Sequence, residues 1–171
     1  MNRRTTLALS TMALLWLGVA LPGAAVAQTA KDLFGTWTLV SSDTVHPDGS
    51  RVPTFGSNPK GILVFTSDGR FSYLFSRADL PKFASNNRNM GTPEEYKAVV
   101  QGSIATFGTY SVADKSLSIK VEHSTFPNWI STDQKRTITI AGDDMMWSNP
   151  AGSGGGVVEL VLKRAPARVI N

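Results

Sequence analysis

Two side chains combine chemical capability with an unexpected position, His123 and Arg136. In the segment Leu117 to Ser124, Leu117, Ile119, Val121 and His123 share one parity, while Lys120 and Glu122 take the other. In Lys135 to Ala141, Arg136 shares its parity with Ile138 and Ile140, against Lys135, Thr137 and Thr139. Alternate residues of a strand point to opposite faces, so both polar groups are predicted to face the apolar side. A buried guanidinium needs an anion or several carbonyls, and neither segment offers a carboxylate of matching parity. Three readings follow. The pair ties down the intervening segment through Asn128 and backbone carbonyls, with Asp133 or Asp43 folding back as partner. Alternatively, it holds a ligand's carboxylate, enolate or carbonyl. In the third, His123 shuttles a proton, which makes it the one candidate catalytic residue.

Other chemistry is poorly represented. The only histidines are His46 and His123, Cys is absent, and neither His-x-His nor His-Glu-x-x-His occurs, so no metal site and no cofactor are expected. Gly152-Ser153-Gly154-Gly155-Gly156 lies between two strand-like runs, whereas a phosphate loop opens a helix and a nucleophile elbow joins strand to helix. No basic stripe with interleaved aromatics is present, which argues against a nucleic-acid partner.

Arg3 and Arg4, the apolar run Leu7 to Leu21 and the small residues Ala25-Val26-Ala27 read as a secretory signal peptide with cleavage after Ala27, residues 1–27. An exported, periplasmic or secreted protein without a membrane anchor is expected, a monomer comprising one domain, 28–171. The leader holds two of the 17 basic residues and none of the 13 acidic ones, so the domain's balance is only +2. Without cysteine its stability must come from packing.

The elements that position the candidate residues are eight short runs rich in β-branched and aromatic residues. They are Gly35 to Thr44, Gly61 to Thr66, Phe71 to Ser76, Thr106 to Val112, Leu117 to Ser124, Lys135 to Ala141, Met145 to Asn149 and Val157 to Arg164. Tight turns such as Ser67-Asp68-Gly69-Arg70 alternate with long connections, so an up-and-down barrel places all tight turns at one end and all long loops at the other. At the closed end, Trp37, Leu39 and Ser41 are predicted to point one way and Thr38, Val40 and Ser42 the other, with Gly35 leaving room beside the indole. Arg164, closing the last run on its apolar parity, is expected to cover Trp37 and join first strand to last. The longest loop holds one helix, with Thr92 as N-cap, Pro93 in the first turn, Glu95 completing a capping box, and Tyr96, Val99, Val100, Ser103 and Ile104 forming an apolar stripe. That stripe is expected to cover something, as a plug or as a lid.

These motifs carry a resemblance. Leu33-Phe34-Gly35-Thr36-Trp37-Thr38-Leu39, Asp48-Gly49, Pro59-Lys60-Gly61-Ile62-Leu63, Asp68-Gly69-Arg70-Phe71-Ser72, Thr92-Pro93-Glu94-Glu95-Tyr96, Phe107-Gly108-Thr109-Tyr110, Val121-Glu122-His123, Phe126-Pro127-Asn128-Trp129 and Arg136 follow one another in order. The chain resembles the bacterial and fungal lipocalin-like domain family, departing from its pattern at Phe107, where a hydroxylated aromatic is usual, and at Ser131, where Gly is usual. The resemblance implies an all-β, eight-stranded antiparallel up-and-down barrel with the helix between the third and fourth strands. It implies binding of a small apolar or amphipathic molecule at the mouth. Candidate ligand contacts are His123, Arg136, Trp129, Asn128, Tyr73, Phe75, Phe107 and Tyr96, and an organic acid is among the candidate partners. The rival readings are an isomerase or cyclase using His123 and Arg136, and an inhibitory or stress-related barrel that contacts another protein.

Overall fold

Alternation of apolar and polar residues becomes alternation of buried and exposed ones along most of the chain, as in β4, where Phe71, Tyr73 and Phe75 are buried and Ser72 and Leu74 are not. The computed structural model describes residues 28–166, and the predicted leader, 1–27, lies outside them. After the short helix α1 (Ala30–Leu33), the strands are β1 (Gly35–Val45), β2 (Arg51–Pro53), β3 (Lys60–Phe65), β4 (Arg70–Ser76), β5 (Ser103–Ala113), β6 (Ser116–Ser124), β7 (Asp133–Ala141), β8 (Asp144–Asn149) and β9 (Val157–Arg164). Helix α2 (Pro93–Gly102) lies between β4 and β5, and a 3-10 turn (Pro127–Trp129) between β6 and β7. All neighbours pair antiparallel, and β1 pairs with β9, so eight long strands close an up-and-down barrel. The ninth, β2, is not among the predicted strands. It pairs only with the mouth half of β1, and counting it places the helix between the fourth and fifth strands of the same loop arrangement.

The closed end is built as expected. Trp37 is fully buried and lies opposite Arg164 in the β1–β9 register. Its Nε1–H donates to the Leu33 carbonyl at 2.8 Å, while the Arg164 guanidinium sits 4.2 Å from the ring centroid and donates to the Phe34 and Asp32 carbonyls at 2.9 and 2.8 Å. Gly35 has a different reason from the one predicted. A Cβ there would meet Arg164 Nη1 at an ordinary 3.9 Å, but its φ of +111° is one that L side chains rarely adopt.

Two irregularities change which residues face inward. In β1 Val40 is exposed as its parity predicts, but the pairing with β9 slips between Leu39 and Ser41, so Ser42, not Ser41, is buried. In the β5–β6 pair Phe107 lies opposite His123 and Gly108 opposite Val121, leaving Glu122 as an extra residue. Gly108 makes this bulge feasible, because a Cβ there would come within 2.0 Å of the Lys120 carbonyl oxygen. Beyond it the parity of β6 inverts. Ser124 turns inward to share a 2.9 Å hydrogen bond with Thr106, and His123 turns out.

Candidate functional site

Arg136 is the polar residue that the barrel places inside. On β7 it alternates inward with Ile138, and only 4% of its surface is exposed. Neither Asp133 nor Asp43 folds back onto it; Asp43 instead faces Arg51 at 3.5 Å. Among the described residues it has no carboxylate partner at salt-bridge distance. Its Nη1 donates to the Lys135 carbonyl at 3.1 Å and its Nη2 to Gln134 Oε1, while the buried Nε has no partner. The Trp129 ring centroid lies 5.8 Å from Cζ. Burial draws the guanidinium's pKa down to about 10, against a smaller opposing effect of Tyr73, so Arg136 remains a cation at neutral pH.

Around Arg136 lies an inner cavity of about 40 Å³ walled by Tyr73, Phe75, Trp129, Trp147 and Asn149. The aromatics are fixed by one another: Tyr73 stacks on Phe75 at 4.6 Å and meets Trp147 edge-on at 6.1 Å. Burial pushes the Tyr73 phenol pKa up, keeping it neutral. At roughly 10–15 Å³ for each water-sized occupant, this chamber has room for about three of them. It adjoins a wider vestibule of about 540 Å³ between β2, the C-terminal end of α2 and the loops after β6 and β8. Thr54, Phe55, Ile104 and Ser153 line both spaces and form the neck between them.

Of the candidate contacts predicted from sequence, Arg136, Trp129, Tyr73 and Phe75 come together around the inner cavity. The other four do not. His123 and Phe107 stand on the outer face with ring centroids 6.1 Å apart, carried there by the bulge and by β5 parity respectively. The predicted pairing of His123 with Arg136 inside the barrel is therefore not formed. Asn128 is exposed in the 3-10 turn. Tyr96 packs on Phe83 at 5.6 Å and accepts a 2.8 Å hydrogen bond from the Gly91 N–H, which turns it toward the loop before the helix. The helix stripe is not covered as predicted, since Val100 is 73% exposed at the vestibule's edge.

Sequence reasoning missed Phe55, Asn149 and Gln134. Phe55 is the one Phe, Tyr or Trp between β1 and β3, and Asn149 follows Met145 and Trp147 at strand parity, so both carried a signal. Gln134 lies two residues before Arg136 on the same face, but an amide at a strand's mouth end gives no sign by itself of what it bonds.

The sequence model described as a lipocalin-like domain matches residues 34–164. A solved structure of a lipocalin-like protein from Bacteroides uniformis ATCC 8492 is similar at 15% identity, with 78% of this chain and 99% of that one covered and a TM-score of 0.44. No curated protein matches the chain.

Proposed function

Because the chain belongs to the lipocalin-like domain family, we propose that it binds a small amphipathic molecule at the barrel mouth, with a hydrogen-bond-accepting, preferably anionic, head group on Arg136 and an apolar body in the vestibule. The observation that carries this reading is a buried guanidinium at the wall of a small cavity, with a free Nε–H and no carboxylate among the described residues to compensate it. Such a charge favours an incoming anion, and burial of apolar ligand surface against Phe55, Ile104 and Phe126 adds to affinity. With residues 1–27 read as a signal peptide, this is an exported binding protein.

Calorimetric titration with octanoate and with octanol tests the reading. Octanoate should bind more tightly, and Arg136→Met should shrink the difference by about 1.5 to 3 kcal/mol while changing octanol affinity little. Equal binding of acid and alcohol by the unmutated protein, or binding of neither, would remove Arg136 from this role.

A second reading, a protein-contacting barrel, has its own support on the outer wall. Ile62 and Leu74 lie opposite one another across β3 and β4, with Phe107 one strand further, and all three are about half exposed. Under that reading neither probe is retained, and removing this apolar row changes association with a protein partner.

A further inference from the structure

Asn149 ends β8 on its inward parity, after Met145 and Trp147, and only 6% of its surface is exposed. It belongs to the wall of the inner cavity. Its two polar atoms are used differently. Oδ1 accepts the Ala151 N–H at 3.0 Å, closing an Asx turn at the start of the loop between β8 and β9. A backbone N–H can only donate, so the amide oxygen must face it, and this fixes which end of the side chain is left over. Nδ2 has no partner among the described residues, yet it keeps accessible surface, unlike Ser42 Oγ, which is sealed from solvent without a partner. On a side chain that alternates inward into the cavity wall, that surface opens onto the cavity. A polar group nine-tenths buried is normally hydrogen-bonded within the fold, and this one is left for a guest. Arg136, in the same wall, also offers donors only. Two polar side chains of the cavity, one charged and one neutral, thus call for acceptor oxygens.

Resting on the binding reading above, we propose that Asn149 is a second anchor for the ligand's head group, its Nδ2–H donating to a carbonyl-type oxygen, so that the cavity selects ligands that carry a carbonyl, as acid, ester or ketone, and not by charge alone. The donor is neutral, so recognition at Asn149 does not require an ionised ligand. A polar end that is donor only, such as a primary ammonium, meets the amide N–H2 and is disfavoured.

Calorimetry with octan-2-one and with octylammonium separates this role from that of Arg136, because neither probe is an anion. Asn149→Asp is nearly isosteric and keeps an oxygen for the Ala151 N–H, but it exchanges the free donor for an acceptor. It should weaken octan-2-one by roughly five- to thirtyfold and tighten octylammonium. A residue that only pins the loop leaves both affinities unchanged in this variant, and that result would overturn the proposal. Should the added carboxylate impair folding, the unmutated protein carries the test. In the NMR spectrum of an isotope-labelled sample, the Asn149 side-chain amide, assigned as the pair of signals missing from Asn149→Leu, should move downfield as octan-2-one is added; signals that stay in place while the ketone binds would equally overturn it. The two readings fail separately. If octanoate and octanol bind equally but octan-2-one responds to Asn149→Asp as stated, Arg136 loses its role and Asn149 keeps its own. If octanoate is preferred but octan-2-one does not bind, or binds without regard to Asn149, the proposal for Asn149 alone is overturned. Binding of none of the probes overturns both.

Discussion

A cation buried without a counter-charge costs folding free energy, and Arg136 shows the cost in the depression of its pKa to about 10. Each pKa unit corresponds to about 1.4 kcal/mol, so the desolvated charge costs on the order of a few kcal/mol in the unliganded protein. The sign follows from proton binding. Below about pH 10 both folded and unfolded chains hold the proton and the cost is constant; above it the folded chain sheds the proton first, and stability relative to neutral pH rises. Arg136→Met should therefore raise the melting temperature of the unliganded protein, by the equivalent of about 1 to 3 kcal/mol, even as it removes acid selectivity. A structural tie between Arg136 and the loop makes the opposite forecast, destabilisation, so one thermal melt separates the two roles. Tyr73, Phe75 and Trp147 are expected to behave as ordinary core residues in the same assay, because each is buried against another aromatic ring.

At the scale of single elements, the bulge in β6 decides which polar residue belongs to the interior. Parity alone turns His123 to the same inner face as Arg136, and parity holds for β4 and β7, where no extra residue intervenes, while the β6–β7 register separately sets Leu117 opposite Arg136. It fails in β1 and β6 because one inserted residue reverses every side chain beyond it. The sign in the sequence is Gly108, a glycine inside a strand whose partner backbone passes too close for a Cβ. Gly108→Ala should accordingly destabilise by about 2 kcal/mol or more, seen as a lowered denaturation midpoint; an unchanged midpoint would mean that the bulge can be absorbed elsewhere. The helix, by contrast, is legible from its caps. Thr92 Oγ1 accepts from the Glu95 N–H at 3.2 Å, and Glu95 accepts from the Thr92 and Ala84 N–H groups at 2.8 Å. What the helix covers is not legible, since the loop partner Phe83 lies outside its periodic pattern. Thr92→Ala should cost about 1 kcal/mol. Glu95's pKa is lowered, first by the Ala84 N–H and then by that of Thr92. Its contribution is complete above the ordinary carboxylate value of about 4.3 and disappears as pH falls through the lower folded value. Protection of the Ala84 and Thr92 amides, their exchange measured against the intrinsic rate at each pH, should therefore fall in that acid window and become independent of pH in Glu95→Gln. Protection that does not change with pH in the unmutated protein would contradict the role given to Glu95.

Across the whole molecule, the two ends of the barrel divide the work. Closure is made at the end with the tight turns, where Trp37 on the first strand meets Arg164 on the last, while the cavity and its cation lie toward the end with the long loops. The alternation of short and long connections makes this division readable from the sequence, whereas the inner cavity's small size depends on how Tyr73, Phe75 and Trp147 pack, which spacing does not encode. Stability and selectivity should therefore respond to different residues. Trp37→Ala removes a fully buried indole and should cost about 3 to 5 kcal/mol. Arg164→Ala should cost less, because the side chain is partly exposed and loses its carbonyl bonds to Phe34 and Asp32 together with its contact on the ring. In a double-mutant cycle the pair should be coupled by about 0.5 to 1.5 kcal/mol, the range of a partly desolvated cation–π contact plus shared packing. Simple additivity would place their contributions in separate parts of the fold. The Arg164→Ala variant carries the sharper test, since it should remain folded: its melting temperature should fall while its ratio of octanoate to octanol affinity stays that of the unmutated protein. A ratio that moves with Arg164 would mean that the barrel transmits changes at its closed end to Arg136, and that closure and recognition are one cooperative unit.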